Sequence, residues 1–108
     1  MKYQMLQLDS VMHAQIDKIL EHYGANVQSI KTCEELTELQ NEIFHLLPDG
    51  KPPHDNFISE VADVYIMLEQ VVRMYKIDPE DILAAMVKKL RRTEDNIIKE
   101  GLWNDNKL

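Results

Sequence analysis

FISEVADVYIMLEQVVRM, residues Phe57 to Met74, sets apolar side chains at Phe57, Ile58, Val61, Val64, Met67, Leu68, Val71, Val72 and Met74. They recur at steps of three and four, the period of an α-helix, and leave little polar surface, so the stretch predicts a helix at the centre of the fold. Glu60 and Asp63 interrupt that surface. Glu60 shares its face with Phe57, Val64 and Met67, where a carboxylate is costly unless it is paired or holds a cation. No Lys or Arg lies near enough in sequence to serve.

The same period extends outward from this helix, with Gly and Pro gathered at a few breaks and no alternating strand pattern or internal repeat. The chain therefore reads as all-α, with four helices. A first helix is expected from Ser10, as N-cap, to His22, with Val11, Ile16, Ile19 and Leu20 as its apolar members and Gly24 as its stop; residues 1–9 are read as frayed. A second is expected from Thr32 to Leu47, because Thr32 and Glu35 form a Thr-x-x-Glu capping box. Pro48 to Asn56, "PDGKPPHDN", is the Pro/Gly-dense loop. Asp55 or Asn56 caps the third helix, which continues to about Tyr75. In "IDPED", Asp78 is placed as N-cap and Pro79 at the first helical position of a fourth helix that reaches Glu100 before Gly101.

The 108 residues suit one domain spanning 1–108. With 19 acidic against 12 basic residues the net charge is -7, which argues against sequence-independent nucleic-acid binding, since that needs clustered Lys and Arg. No window approaches the roughly 20 apolar residues that span a bilayer, and the N-terminus lacks a basic segment followed by an apolar run, so a cytoplasmic protein without a membrane partner is expected. The single cysteine, Cys33, cannot form an intramolecular disulfide; among Ile30, Leu36 and Leu47 it reads as a small buried hydrophobe.

On the second helix, Leu36, Leu39, Ile43, Leu46 and Leu47 form the expected buried stripe, bordered by Glu35, Glu38 and Glu42. The loop is short enough to make the second and third helices antiparallel neighbours, which brings Glu35 and Glu38 opposite Glu60 and Asp63. Four converging carboxylates repel one another unless pKa values rise or a divalent cation binds, and an all-oxygen donor set suits Mg²⁺ or Mn²⁺. Magnesium keeps water ligands and favours phosphate oxygens, so phosphate chemistry is a natural use of such a site. Against this stands the reading of Glu34, Glu35, Glu38 and Glu42 as a solvated helix face, the ordinary explanation for any single Glu on an exposed helix.

The order Glu35-x-x-Glu38, then Glu60-x-x-Asp63, within "EELTEL" and "EVAD", resembles the E-x-x-E…E-x-x-D pattern of MazG-like, all-α nucleoside triphosphate pyrophosphohydrolases. The resemblance implies a four-helix bundle with the pattern on two antiparallel helices, and Mg²⁺-dependent hydrolysis of NTPs or dNTPs to a nucleoside monophosphate and pyrophosphate. It implies metal binding by Glu35, Glu38, Glu60 and Asp63, with Glu34 as a companion that helps orient water. It also places Lys89 and Arg92, within "KKLRRT", at the substrate phosphates, where Arg holds oxygens bidentately and Lys acts as a point charge. The competing reading of that run is a cationic helix end. Lys31 and Gln28, just before the expected second helix, are candidates for approaching substrate. Ser59 departs from the pattern, because many relatives carry an acid there. A homodimer or homotetramer is implied, and the base and sugar are not.

Two rival classes remain. Glu42-x-x-His45 matches half of a di-iron bundle motif, which needs a second Glu-x-x-His that the sequence lacks. A helical interaction module would use the six methionines as adaptable contact surface, although methionine at helical spacing is more often core. His13, His22 and His54 show no ligand spacing, and Trp103 reads as a packing aromatic of the tail.

Overall fold

The structure, a computed structural model, describes residues 6–46 and 55–101. The described residues form four helices and no strand: α1 (Ser10–Tyr23), α2 (Ala25–Leu46), α3 (Asp55–Met74) and α4 (Pro79–Glu100). Leu47, most of the expected Pro/Gly loop, His54 and Trp103 lie outside the described residues. The chain divides into two units, residues 1–75 with α1, α2 and α3, and residues 76–108 with α4.

Helix α1 is capped one residue earlier than expected. Asp9, not Ser10, is the N-cap, its Oδ1 accepting from the Met12 N–H at 2.8 Å. Gly24 stops the helix, its N–H donating to Leu20 O at 2.8 Å with φ 85, a left-handed backbone that costs glycine least. No atom would meet a Cβ there within 4 Å, so the requirement is on the backbone alone.

The largest correction concerns α2, which begins at Ala25 rather than Thr32. Thr32 is no cap. It sits inside the helix with Oγ1 donating to the Gln28 carbonyl at 2.7 Å, the back-bond by which a buried threonine satisfies itself without leaving helical geometry. The buried face differs too. Gln28, Thr32 and Glu35 are buried, whereas Leu36 is 45% exposed and Ile43 43%. Glu35 therefore lies within the packed face, not on its border. Cys33 falls off that face and is exposed, contrary to the expectation of a buried thiol.

Helix α3 ends at Met74, where Lys76 takes a left-handed φ of 53. Asp55 and Asn56 both lie inside it, and Asn56 uses its Nδ2 to donate to Glu42 Oε1 at 3.0 Å on α2. Of the expected apolar stripe Val64 and Met67 are buried, while Ile58 and Leu68 are exposed. Among the described residues the most enclosed side chain is one that hydrophobicity passes over: Gln70, 1% exposed.

Packing in the first unit is dominated by α2 against α3. Gln28 meets Gln70, Ser29 meets Met74 and Tyr75, and Glu42 meets Asn56. Helix α1 closes over this pair with Ile16, which joins Val64 and Met67 as the buried apolar core. Arg73 ties α1 to α3: Nε donates to Asp17 Oδ1 at 2.6 Å, one guanidinium NH₂ nitrogen donates to Glu69 Oε1 at 3.0 Å, and the other faces His13 Nδ1 at 2.9 Å.

Helix α4, in the second unit, is capped as its sequence predicts. Asp78 Oδ1 accepts from the Glu80 N–H at 2.9 Å, Pro79 opens the helix where a missing N–H costs nothing, and Gly101 closes it with φ 79.

Candidate metal centre

Three of the four acids singled out by spacing, Glu35, Glu38 and Glu60, meet where α2 packs on α3. One carboxylate oxygen from each of Glu35, Glu38 and Glu60 lies within 4.8 Å of the others. Asp63, one turn from Glu60 on α3, lies outside that group, although the charges of Glu35 and Glu38 reach it. The group therefore draws two acids from α2 and one from α3.

Local geometry holds two of the three in place, while Glu38 is exposed. Glu35 is 5% exposed and held on the same face as Gln28 and Thr32, and Glu60 is half-buried on the face that carries Val64 and Met67. Glu35 Oε2 and Glu60 Oε2 are both shut off from solvent without a hydrogen-bond donor. The acids opposite can supply one only by holding a proton. A buried acceptor left in that state costs free energy comparable to a lost hydrogen bond.

Among the described residues, the cation at the cluster is Lys31. Its Nζ lies 3.1 Å from Glu35 Oε1 and 3.8 Å from Glu34 Oε2, positions four and three residues along the same helix. The hydrogen bond and charge of Glu35 raise the Lys31 pKa above its ordinary value. Among the described residues, Glu38, Glu60 and Asp63 form no ion pair with a basic side chain. Glu34 is exposed and borders an open hollow with Cys33, Thr37 and Glu38. A larger hollow, lined by Lys18, Ile19, Glu21, His22 and Tyr23, contains none of these four acids and offers no comparable chemistry.

The strain shows in the titration of α3. Burial, then the charge of Glu38 and a hydrogen bond to it, pushes the Glu60 carboxyl above the ordinary range. Burial, then the charge of Glu35 and a hydrogen bond to it, pushes Asp63 up as well. The folded chain thus holds protons here more tightly than the unfolded chain does. Where that is so, the slope of stability against pH is negative. Stability from these two groups is complete below the unfolded carboxylate pKa, about 4, and is lost as pH rises through the higher folded values. In chelator, the difference in thermal midpoint between the parent chain and the Glu60→Gln/Asp63→Asn double variant should be small near pH ~4 and move against the parent by pH ~7. A difference independent of pH would show that the two acids do not carry this penalty.

The donor set fits a hard divalent cation. Carboxylate oxygens at about 2.1 Å from Mg²⁺ stand up to about 4.2 Å apart across the ion, so small rotamer shifts would close a cluster spread over 4.8 Å. All donors are oxygens, as Mg²⁺ and Mn²⁺ prefer. Glu42 and His45 are not in this group: Glu42 accepts from Asn56, and His45 is exposed near the end of α2. Lys89 and Arg92 lie exposed on α4, three residues apart and so on one side of that helix.

Spacing passes over Gln70 and gives Gln28 and Thr32 other roles, a substrate approach and a helix cap, whereas all three are buried polar groups of α2 and α3. Their only sequence signal is a common offset: Gln28 precedes Glu35 by seven residues, and Gln70 follows Asp63 by seven. No protein-family model, curated protein or solved structure matches the chain.

Proposed function

We propose that the chain is a divalent-metal-dependent nucleoside triphosphate pyrophosphohydrolase, splitting NTPs or dNTPs into nucleoside monophosphate and pyrophosphate. The observation that carries this reading is the convergence of Glu35, Glu38 and Glu60 with two solvent-excluded carboxylate oxygens that have no donor. Such a cluster is costly to fold around unless a cation binds, and the order Glu35-x-x-Glu38, Glu60-x-x-Asp63 is that of MazG-like enzymes, with α2 and α3 as the antiparallel pair of their bundle.

In this reading Glu35, Glu38, Glu60 and Asp63 hold Mg²⁺, with Mn²⁺ as substitute. The ion would neutralise phosphate charge and lower the pKa of a water. Glu34, exposed beside Glu38, orients the attacking water and accepts its proton. Water then adds to phosphorus as the bond to the pyrophosphate oxygen breaks, and both products leave as anions. Lys31, already at the rim, exchanges its contact with Glu35 for a phosphate oxygen.

A homodimer or homotetramer in the cytoplasm completes the proposal. Val27, Ile30, Leu36, Ile43 and Phe44 on α2 are large, apolar and exposed in the single chain, which supports a second subunit covering them. No helix among the described residues is long and apolar enough to cross a membrane.

The test is a panel of NTPs and dNTPs assayed for pyrophosphate against orthophosphate. Pyrophosphate release that stops in chelator and returns with Mg²⁺ or Mn²⁺ is expected. Orthophosphate as the product, or full activity in excess chelator, would overturn the assignment.

A further inference from the structure

The interface between α2 and α3 is polar along much of its length, which is unusual for the most extensive contact in a small helical unit. Its polar pairs follow one rule. Gln28, Glu35 and Glu42 recur every seven residues on α2, and Gln70, Asp63 and Asn56 recur every seven on α3. Gln28 Nε2 donates to Gln70 Oε1 at 2.8 Å and Asn56 Nδ2 donates to Glu42 Oε1 at 3.0 Å, and between these layers Glu35 and Glu38 bring carboxylate oxygens within 4.8 Å of one on Glu60. Seven residues are two helical turns, so three polar layers stack at equal intervals with the carboxylates in the middle one.

Helices facing each other through a regular repeat can slide by one turn and still interdigitate. What prevents the slide is a pair that is satisfied in one register only, the role a buried amide plays in coiled coils. Gln70 is 1% exposed and Gln28 6%; Gln70 accepts from Gln28 through Oε1, and its own Nε2 donates to the Met67 sulfur at 3.8 Å. Sliding α3 by four residues would set Glu35 against Met67 and Glu38 against Val64, and would leave both amides buried without each other. Apolar side chains at positions 28 and 70 would carry no such penalty.

We infer that Gln28 and Gln70 are positioning residues: their buried amide pair locks α2 and α3 in the register that opposes Glu35 and Glu38 to Asp63 and Glu60. The functional side of this inference rests on the metal-site reading above; the register itself does not, and the two are measured separately.

The register is read in chelator from the distance between nitroxide labels on Thr37→Cys and Ser59→Cys, two exposed sites, in a Cys33→Ser background. One narrow distance is expected with Gln28 and Gln70 present. In Gln28→Met/Gln70→Met, which keeps side-chain length while removing both amides, a second population displaced by about one turn, ~5.4 Å, is expected. Mn²⁺ binding, followed by its own resonance, should weaken at least tenfold in that variant. Gln70→Asn, one methylene short of its partner, should shift the same way to a smaller degree, and it carries the test if the double variant does not fold. Unchanged distances and unchanged Mn²⁺ affinity, even with lowered stability, would overturn the inference and leave the metal site standing. A parent chain that takes up no Mn²⁺, with labels that still slip in the variant, would overturn the metal reading and leave the register role standing.

Discussion

Glu60→Gln and Asp63→Asn should each lower pyrophosphate release by at least about a hundredfold while leaving the metal-free fold as stable as before, or more stable. The size of the first effect follows from the several kcal/mol a metal supplies to a developing phosphate charge, each 1.4 kcal/mol being about tenfold in rate. The sign of the second follows from the cluster. Both acids are pushed toward their neutral forms by burial and by the carboxylates of α2, so an amide removes repulsion and keeps the shape. If these acids instead satisfied buried donors, the same changes would destabilise the fold and spare turnover. Denaturant unfolding in chelator, set beside pyrophosphate release from dNTPs, separates the cases. Variants that unfold more easily yet turn over normally per folded molecule would end the metal-site reading of α3.

Glu35→Gln is a less direct probe, because Glu35 also receives Lys31. Its replacement frees an ammonium as well as removing a ligand. The contrast shows why positions on α3 report more cleanly than those on α2.

Sequence made some elements plain and hid others for identifiable reasons. Gly24, Gly101 and the Asp78-Pro79 pair mark their helix ends because capping is decided by one or two residues acting on the local backbone. The start of α2 was hidden because Thr32 and Glu35 have the spacing of a capping box, and only the tertiary setting reveals that the Thr32 hydroxyl bonds backward to Gln28. The carboxylates were legible as a pattern, since i and i+3 place Glu35 with Glu38 and Glu60 with Asp63 on common faces. The burial of Glu35 was not. A wheel weighted by hydrophobicity turns Leu36 and Ile43 inward, whereas the face that meets α3 carries Gln28, Thr32 and Glu35. Polar residues select that face because α3 presents Gln70, Asp63 and Glu60 to it, and complementarity between two helices is not a property of either sequence segment alone. The Lys31–Glu35 pair was available from its four-residue spacing, and its consequence is that one edge of the cluster already has a counter-charge.

Met67→Ala should produce the largest loss of stability available from a single apolar truncation on α3. Met67 is 5% exposed and stands, with Val64 and Ile16, among the buried apolar residues described in the first unit. Truncating a buried methionine to alanine typically costs about 2–5 kcal/mol, the transfer term plus the cavity left behind. Against the ~5–15 kcal/mol by which small domains are stable, that is a large fraction. Here little apolar core remains to absorb it, because the neighbouring layers are polar: Gln70 lies three residues along, and the acids lie one to two turns back. Leu68→Ala is the matched control. Leu68 is 49% exposed in the single chain, so its truncation should cost no more than about 1 kcal/mol if no other subunit covers it. Urea unfolding of both variants at several protein concentrations makes the comparison. A loss below about 0.5 kcal/mol at Met67 would show that the α2–α3 interface is not what holds the unit together. A loss at Leu68 that rivals the one at Met67, with a parent midpoint that rises with protein concentration, would place Leu68 in a subunit contact, since association stabilises by mass action and burial within one chain does not.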